Sequence, residues 1–504
     1  MKVQPDSTAF AAFTTAYEAG RPQVVWTTLV SDLETPVSAL LKLADGRPYS
    51  FLLESVQGGE IRGRYSLIGM KPDLIWRCRG SRCEINRRAR ADLEAFEPQD
   101  QPPLAALTAL LEECRIELPE SLPPMAAGLY GYLGYDMVRL MERLPDDNPD
   151  PLGVPDAVLM RPTVMAIFDG IENVATIVTP VRPEAGISAA AAYGLACERL
   201  ADALADLERS VPHRRALAAG RLETPAPLSN TSRAEYHAMV ERAKEYIRAG
   251  DIFQVVPSQR FSLPFTLPPF ALYRALRRLN PSPFLFYLNL DGFSLVGSSP
   301  EILVRVRDGK VTIRPIAGTR RRGATPEEDK ALADELLADP KELAEHLMLL
   351  DLGRNDVGRV ARIGTVKVTE QMVVERYSHV MHIVSNVEGE LDPRHSALEA
   401  LVAGFPAGTV SGAPKVRAME IIDELEKARR VFYAGCIGYF AANGAMDTCI
   451  ALRTALIKDG TMYVQAGGGV VADSDPESEY QETVNKAKAL FRAAEEAVRF
   501  AEDR

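Results

Sequence analysis

The chain has 504 residues with 69 acidic and 58 basic side chains, a net charge of −11 and no basic tail, which argues against nucleic acid as a partner. Hydrophobic residues make up 46% and charged residues 25%, the balance of an ordinary globular protein, and no apolar run approaches a membrane span. That length fits two or three domains or one large intertwined unit.

An acidic protein that holds an anion must concentrate positive charge locally, so individual Arg and Lys residues say more than the total. The six cysteines, Cys78, Cys83, Cys114, Cys197, Cys436 and Cys449, form no C-x-x-C pair and no zinc spacing. Free thiols, a start without a signal peptide and the lack of a membrane span predict a soluble cytoplasmic protein.

Phe10, Phe13 and Tyr17 predict an amphipathic helix over residues 7–19. Residues 24–30 read as a strand. A second strand, 50–55, ends in Glu54 and Ser55 ahead of Gly58-Gly59; this polar pair finishes a turn or binds an amine, and the turn is the simpler reading. Residues 74–79 and 82–86 form a hairpin around Gly80-Ser81, followed by a helix over 104–114. A Gly/Tyr strand pair spans 127–135, an apolar hairpin spans 158–179, and an Ala-rich helix spans 188–207. Short strands joined by hairpin turns predict an α+β fold, antiparallel sheet with helices outside it. Residues 211–227 are polar and Pro-bearing and make the clearest linker. They divide the chain into 1–205, a linker over 206–231, and 232–504.

Ser232 and Glu235 form a capping box for a helix ending at Gly250. Residues 251–260 are strand, with Gln254 among apolar neighbours. Asn280, Pro281 and Ser282 turn the chain into a strand starting at Phe284, and Glu301 opens the next strand in an apolar setting. Residues 312–322 run from strand to loop. Asp339-Pro340 starts a helix that places Glu342 and Glu345 on one face, with a polar loop expected over 351–356. His379 and His382 alternate on a strand, point to opposite faces and share no metal. The small-residue loop 405–415 ends at a helix N-terminus, a geometry that holds anions, but lacks the ending of a P-loop. Strands over 432–440 and 448–454 carry Tyr433 and Arg453.

Near the C-terminus a strand runs into Gly467, Gly468 and Gly469. Asp475-Pro476 then opens a helix bearing Glu479, Glu482 and Lys486 on one face. One such face fits a solvated, salt-bridged helix. Two of them, each in the first turns of an Asp-Pro-started helix, make a Mg²⁺ ion with a small polyanion an equal alternative.

Pro315-Ile-Ala-Gly-Thr-Arg320, Glu345-His-Leu-Met-Leu-Leu-Asp-Leu-Gly-Arg-Asn-Asp356, Gly408-Thr-Val-Ser-Gly-Ala-Pro414, Ala451-Leu-Arg-Thr454 and Glu479-Tyr-Gln-Glu-Thr-Val-Asn-Lys486 together resemble the motifs of chorismate-utilising enzymes, in the same order. The resemblance is strong over about 230–495 and looser before it. It implies an antiparallel sandwich with outer helices. It also implies Mg²⁺ held by Glu345 and Glu482, with Glu342 and Glu479 alongside, gripping the ring carboxylate of chorismate. Lys486 with the backbone amides of Gly412 and Gly467 to Gly469 would complete that grip, Arg453 and Tyr433 would take the enolpyruvyl carboxylate, and Thr319 would also bind substrate.

Within the family the resemblance points to the anthranilate-forming branch. Ammonia adds at C2, Glu301 protonates the departing C4 hydroxyl, and His382 with Thr409 nearby serves the loss of pyruvate. Relatives that add water carry Lys where Gln254 stands, and those that form aminodeoxychorismate carry Lys in place of Ala317; both lysines are absent. Glu54, Ser55, Asn280, Pro281, Ser282 and Phe284 resemble a tryptophan feedback pocket, which turns the reading of Glu54-Ser55 from turn to binding site. With no cysteine in a nucleophile setting, glutamine hydrolysis is expected on a separate amidotransferase subunit, in a heterotetramer of two of each. The alternatives are an aminodeoxychorismate, isochorismate or salicylate synthase, or a catalytically silent metabolite sensor of the same fold.

Overall fold

The structure, a computed structural model, describes residues 7–44, 46–54, 63–212, 226–377 and 380–502. Ser55, Gly58-Gly59, His379 and residues 213–225 of the expected linker lie outside them.

Alternation along the strands builds two cores, because successive side chains leave opposite faces of a sheet. Phe51, Leu67, Phe286, Leu288, Leu295 and Leu456 enter one core, shared between sheet layers. Their neighbours Leu52, Ile68, Leu285, Tyr287, Val296 and Ile457 enter a second core. Helices Ala189–Glu208, Pro269–Leu279 and Pro476–Glu502 close that second face. The result is the expected α+β arrangement, and every strand pairing among the described residues is antiparallel.

The two halves of the chain share one sheet. Ser50–Glu54 pairs with Phe284–Leu290, Leu285 opposite Glu54, and Gly128–Leu133 pairs with Cys436–Ala441. Gly128 and Gly131 sit at φ 155° and 156°, and a Cβ there would meet the Phe440 and Val158 carbonyl oxygens at 2.1 and 2.0 Å. Only glycine lets those strands come so close. No helix among the described residues is long and apolar enough to cross a membrane.

Three expected elements differ. Residues 351–356 are not a loop but part of the helix Pro340–Gly358. Leu349, Leu350, Gly353, Asp356 and Val357 form a buried face there, and Asp356 is compensated by Lys415 Nζ at 2.8 Å. Phe432 and Tyr433 lie in a turn before strand Cys436–Ala441, with Val431 and Ala434 at φ 59° and 65°. The expected strand 448–454 is split into Met446–Ile450 and Thr454–Lys458 around Arg453, itself at φ 51°.

Candidate active site

Two helices bring their carboxylates to one place. Asp339 caps Pro340–Gly358 by accepting from the Lys341 amide at 3.0 Å, and Asp475 caps Pro476–Glu502 by accepting from the Ser478 amide at 2.8 Å. The first turns then present Glu342 and Glu345 from one helix and Glu479 and Glu482 from the other. Burial, and then the charges of Glu342 and Glu482, push the Glu345 carboxyl up against the Gln254 hydrogen bond that lowers it. Burial and Glu482 likewise push Glu479 up to about 7. Carboxylates that raise one another in this way lie close together.

The glycine turn forms the floor between them. A Cβ on Gly468 would lie 2.9 Å from Glu479 Oε2, and one on Gly469 would lie 2.8 Å from Gln254 Nε2. Gln254 Nε2 donates to Glu345 Oε1 at 2.8 Å, and Ser474 Oγ donates to Glu479 Oε1 at 2.7 Å. Gln254 Oε1 and Glu479 Oε2 are buried without a hydrogen-bond partner among the described residues. Lys486 Nζ donates to the Gly467 carbonyl at 2.9 Å and pairs with Glu482 at 2.5 Å. Arg320 pairs with Glu342 at 2.8 Å, Asp339 at 2.9 Å and Glu335 at 3.0 Å, a cation that the motif contained but whose task the sequence did not disclose.

No three Asp, Glu, His or Cys side chains among the described residues converge as a ready-made metal cluster. The donors still fit Mg²⁺, which uses one or two carboxylates and fills its octahedron with water and substrate oxygens. The orphaned Glu479 oxygen and the raised Glu345 and Glu479 carboxyls are the features a divalent cation would relieve.

Beyond the cradle, Glu301 is 6% exposed and burial pushes its carboxyl up to about 8, although Thr409 Oγ1 donates to it at 3.0 Å. His382 lies on the strand Val380–Glu390. Its Nδ1 stands 2.9 Å from the Gly318 carbonyl oxygen and 3.1 Å from Thr319 Oγ1. A carbonyl only accepts, so Nδ1 carries the hydrogen and Nε2 keeps its lone pair. Burial pulls the His382 pKa down and keeps the ring neutral. The hydroxyl bonded to His382 is therefore that of Thr319, while Thr409, expected beside the histidine, serves Glu301.

Arg453 feels Tyr433, Glu482 and Glu301 electrostatically, yet no ion pair to it occurs among the described residues. Burial works against its charge, so an incoming carboxylate would satisfy it. Tyr433 is 4% exposed, with its hydroxyl beside Gly467. Gly412, at φ 135°, lies against the Gln254 carbonyl, where a Cβ would meet it at 2.2 Å.

A separate cavity of about 170 Å³ is lined by Glu54 at the end of one strand and Phe284 at the start of its neighbour, together with Arg305, Arg314 and Tyr439 from other strands. Glu54 accepts from the Tyr273 hydroxyl and from Arg277 Nε, with Arg277 Nη2 at 3.2 Å from its second oxygen. Asn280, Pro281 and Ser282 form the turn before Phe284, where Ser282 Oγ donates to the Ser299 carbonyl at 2.9 Å.

A family model described as chorismate binding enzyme matches residues 66–492. Anthranilate synthase component 1 of Cereibacter sphaeroides is 64% identical over 495 residues, covering 98% of this chain and 99% of the relative. The crystal structure of anthranilate synthase component I from Streptococcus pneumoniae superposes with a TM-score of 0.74 at 37% identity, covering 92% of this chain and 98% of that one. The menaquinone-specific isochorismate synthase of Escherichia coli shares the fold, with a TM-score of 0.70 at 21% identity over 96% of this chain and 100% of that one.

Proposed function

This chain belongs to the chorismate-binding enzymes, and from that membership we propose that it is the large subunit of an anthranilate synthase, converting chorismate and ammonia to anthranilate and pyruvate. The observation that carries the reading is the meeting of two acidic helix faces over the glycine turn, near Arg453, which has no ion pair among the described residues. Such a site takes a compact dianion at both ends. Gln254 and Ala317, where water-adding and aminodeoxychorismate-forming relatives are expected to carry lysine, favour ammonia and C2.

Glu345 and Glu482, with Glu342 and Glu479 in support, would hold Mg²⁺. When bound, that ion supplies the positive charge the ring carboxylate needs inside an acidic cradle. Lys486 and the Gly467 to Gly469 backbone orient the same carboxylate, and Arg453 with Tyr433 fixes the enolpyruvyl one. Glu301, protonated at neutral pH by its burial, gives its proton to the C4 hydroxyl as ammonia attacks C2. His382 Nε2, left basic by the Gly318 carbonyl, takes the C2 proton as pyruvate leaves and the ring becomes aromatic.

Glutamine would be hydrolysed on a separate amidotransferase subunit. Burial raises the thiol pKa at Cys78, Cys83, Cys114, Cys197, Cys436 and Cys449, the opposite of what a thiolate nucleophile requires. A tetramer of two subunits of each kind is the assembly proposed, with tryptophan as the inhibitor seated in the cavity beside Glu54 and Phe284.

The test is product analysis with the isolated chain, chorismate, Mg²⁺ and ammonium salt. Fluorescent anthranilate and pyruvate in equal amounts are expected, and glutamine alone should yield none. Isochorismate, salicylate or aminodeoxychorismate as product would refute the assignment. Bound but unconverted chorismate would make the chain a sensor.

A further inference from the structure

A cavity of about 190 Å³ opens where several strands of the sheet begin or end. Arg79, Leu290 and Lys458 close the strands Tyr65–Arg79, Phe284–Leu290 and Thr454–Lys458, and Tyr49 precedes Ser50–Glu54; all four line it. It shares no lining residue with the cavity beside Glu54. Tyr49, Leu290 and Phe293 make a buried apolar back, while Arg79, Gly153 and Asp291 are exposed and mark the mouth.

Alternation sends Arg77 and Arg79 to one face of their strand. In the hairpin with Arg82–Asn86, Arg77 stands opposite Glu84 and pairs with it at 2.6 Å, but Arg79 stands opposite Arg82. Like charges directly opposite one another are destabilising. Arg79 forms no ion pair among the described residues, and its Nη1 donates to the Gly153 carbonyl at 3.2 Å. Lys458 comes to the same loop, also without an ion pair among the described residues. Its Nζ donates to the Leu152 carbonyl at 2.7 Å and would lie 3.9 Å from a Cβ on Gly153.

The acids nearby are committed elsewhere. Asp150 accepts from the Leu152 and Gly153 amides at 2.9 and 3.1 Å, and Asp156 accepts from the Gly80 amide at 2.5 Å. Asp291, the one acid in the lining, acts on the Tyr49 hydroxyl beside Arg77. Two uncompensated cations therefore converge on one glycine, in a chain whose net charge is −11.

We propose that this cavity binds the phosphate monoester of a small organic molecule. Two cations match a dianion, and a guanidinium fork with an ammonium beside it suits phosphate oxygens. Gly153, at φ 60°, puts no side chain between the loop and the Lys458 ammonium. The volume exceeds the ~150 Å³ of an engineered protein cavity that takes up benzene, so a ring or short chain fits behind the phosphate against Tyr49, Leu290 and Phe293.

The test is calorimetric titration of phenyl phosphate into the whole chain, in a buffer free of phosphate and sulfate. A saturable site of sub-millimolar affinity is expected, with a rise in melting temperature on binding. Inorganic phosphate and benzoate, which lack the ring or the second charge, should each bind at least tenfold more weakly. Arg79→Gln and Lys458→Gln should each weaken phenyl phosphate tenfold or more while leaving kcat and KM for chorismate unchanged. Should Lys458→Gln melt early through loss of its bond to Leu152, Arg79→Gln, at an exposed position, decides alone. Absence of saturable binding would overturn the proposal. So would affinity unaltered by Arg79→Gln, as when the probe settles at Arg453 instead, or inorganic phosphate or benzoate binding as tightly as phenyl phosphate. The titration needs no turnover, so it decides this site whether or not the chain makes anthranilate.

Discussion

Burial sets the proton states of Glu301 and His382, and it sets them in opposite senses. A carboxyl pushed up to about 8 keeps its proton, and an imidazole pushed down stays without its second one. Glu301→Gln should lower kcat by ~10² to 10⁴ with little change in KM, as expected when an interaction belongs to the transition state. Parent kcat should decline as pH rises through about 8, because the acid form is lost there. The sign for stability agrees. Folded Glu301 retains a proton that the unfolded chain releases near its ordinary value, so stability falls as pH rises between that value and about 8. Glu301→Gln should flatten that slope in thermal melts, and an unchanged slope would count against the burial account.

At the cavity lined by Glu54 and Phe284, Phe284→Ala should weaken the proposed tryptophan inhibition in a dose–response assay while leaving uninhibited turnover intact. Equal inhibition would remove Phe284 from the pocket. The candidate residues at both sites come from motifs read in chain order. Hydrogen-bond partners were not: nothing in the sequence says that Thr319 rather than Thr409 bonds His382, since register and loop path decide it.

Among the elements, the segment around Arg430 ties several parts of the site together. Arg430 is 1% exposed, pairs with Glu426 at 2.6 Å, and donates to the Val410 and Val256 carbonyls at 2.7 and 2.6 Å. Its guanidinium also lies 5.3 Å from the Tyr433 ring centroid. It thereby joins the Thr409 segment, the chain after Gln254 and the Tyr433 turn. Arg430→Met leaves Glu426 buried and unpaired, and denaturant unfolding should show a loss of ~3–5 kcal/mol. Adding Glu426→Leu should restore part of it, and a cost below the single variant's noise would refute the buried-pair account.

Capping chemistry made several helices readable in advance, notably Arg233–Ala249 with its Ser232 box and the two Asp-Pro starts. The same signal, Ser396 with Glu399 and Thr35 with Ser38, also marks Ala397–Gly404 and Pro36–Leu43, which went unpredicted. The run 351–356 misled because its Asp, Gly and Asn composition favours loops, while its buried face and the Lys415 partner are tertiary facts.

For the whole molecule, hairpin turns announced antiparallel sheet, but a pairing between residues 52 and 287 has no local signature. The consequence is that neither half is self-sufficient. A chain ending at residue 212 strips one neighbour from each of Ser50–Glu54 and Gly128–Leu133, which keep only their pairings with Tyr65–Arg79 and Ala157–Asp169 and so become open edges. It should be aggregation-prone or lack cooperative unfolding by circular dichroism, and should gain structure when expressed with residues 226–504. A monomeric fragment with a sharp transition would contradict that reading.

A protein of net charge −11 has to bind a dianion between carboxylates that already raise one another's pKa. Calorimetric titration of chorismate, with and without Mg²⁺, into the parent and into Glu345→Gln addresses this most directly. Binding in the parent should strengthen by an order of magnitude or more, ~1.4 kcal/mol per tenfold, when Mg²⁺ is present. The folded variant should lose that gain. Chorismate affinity indifferent to Mg²⁺, or a full gain retained by Glu345→Gln, would contradict the account.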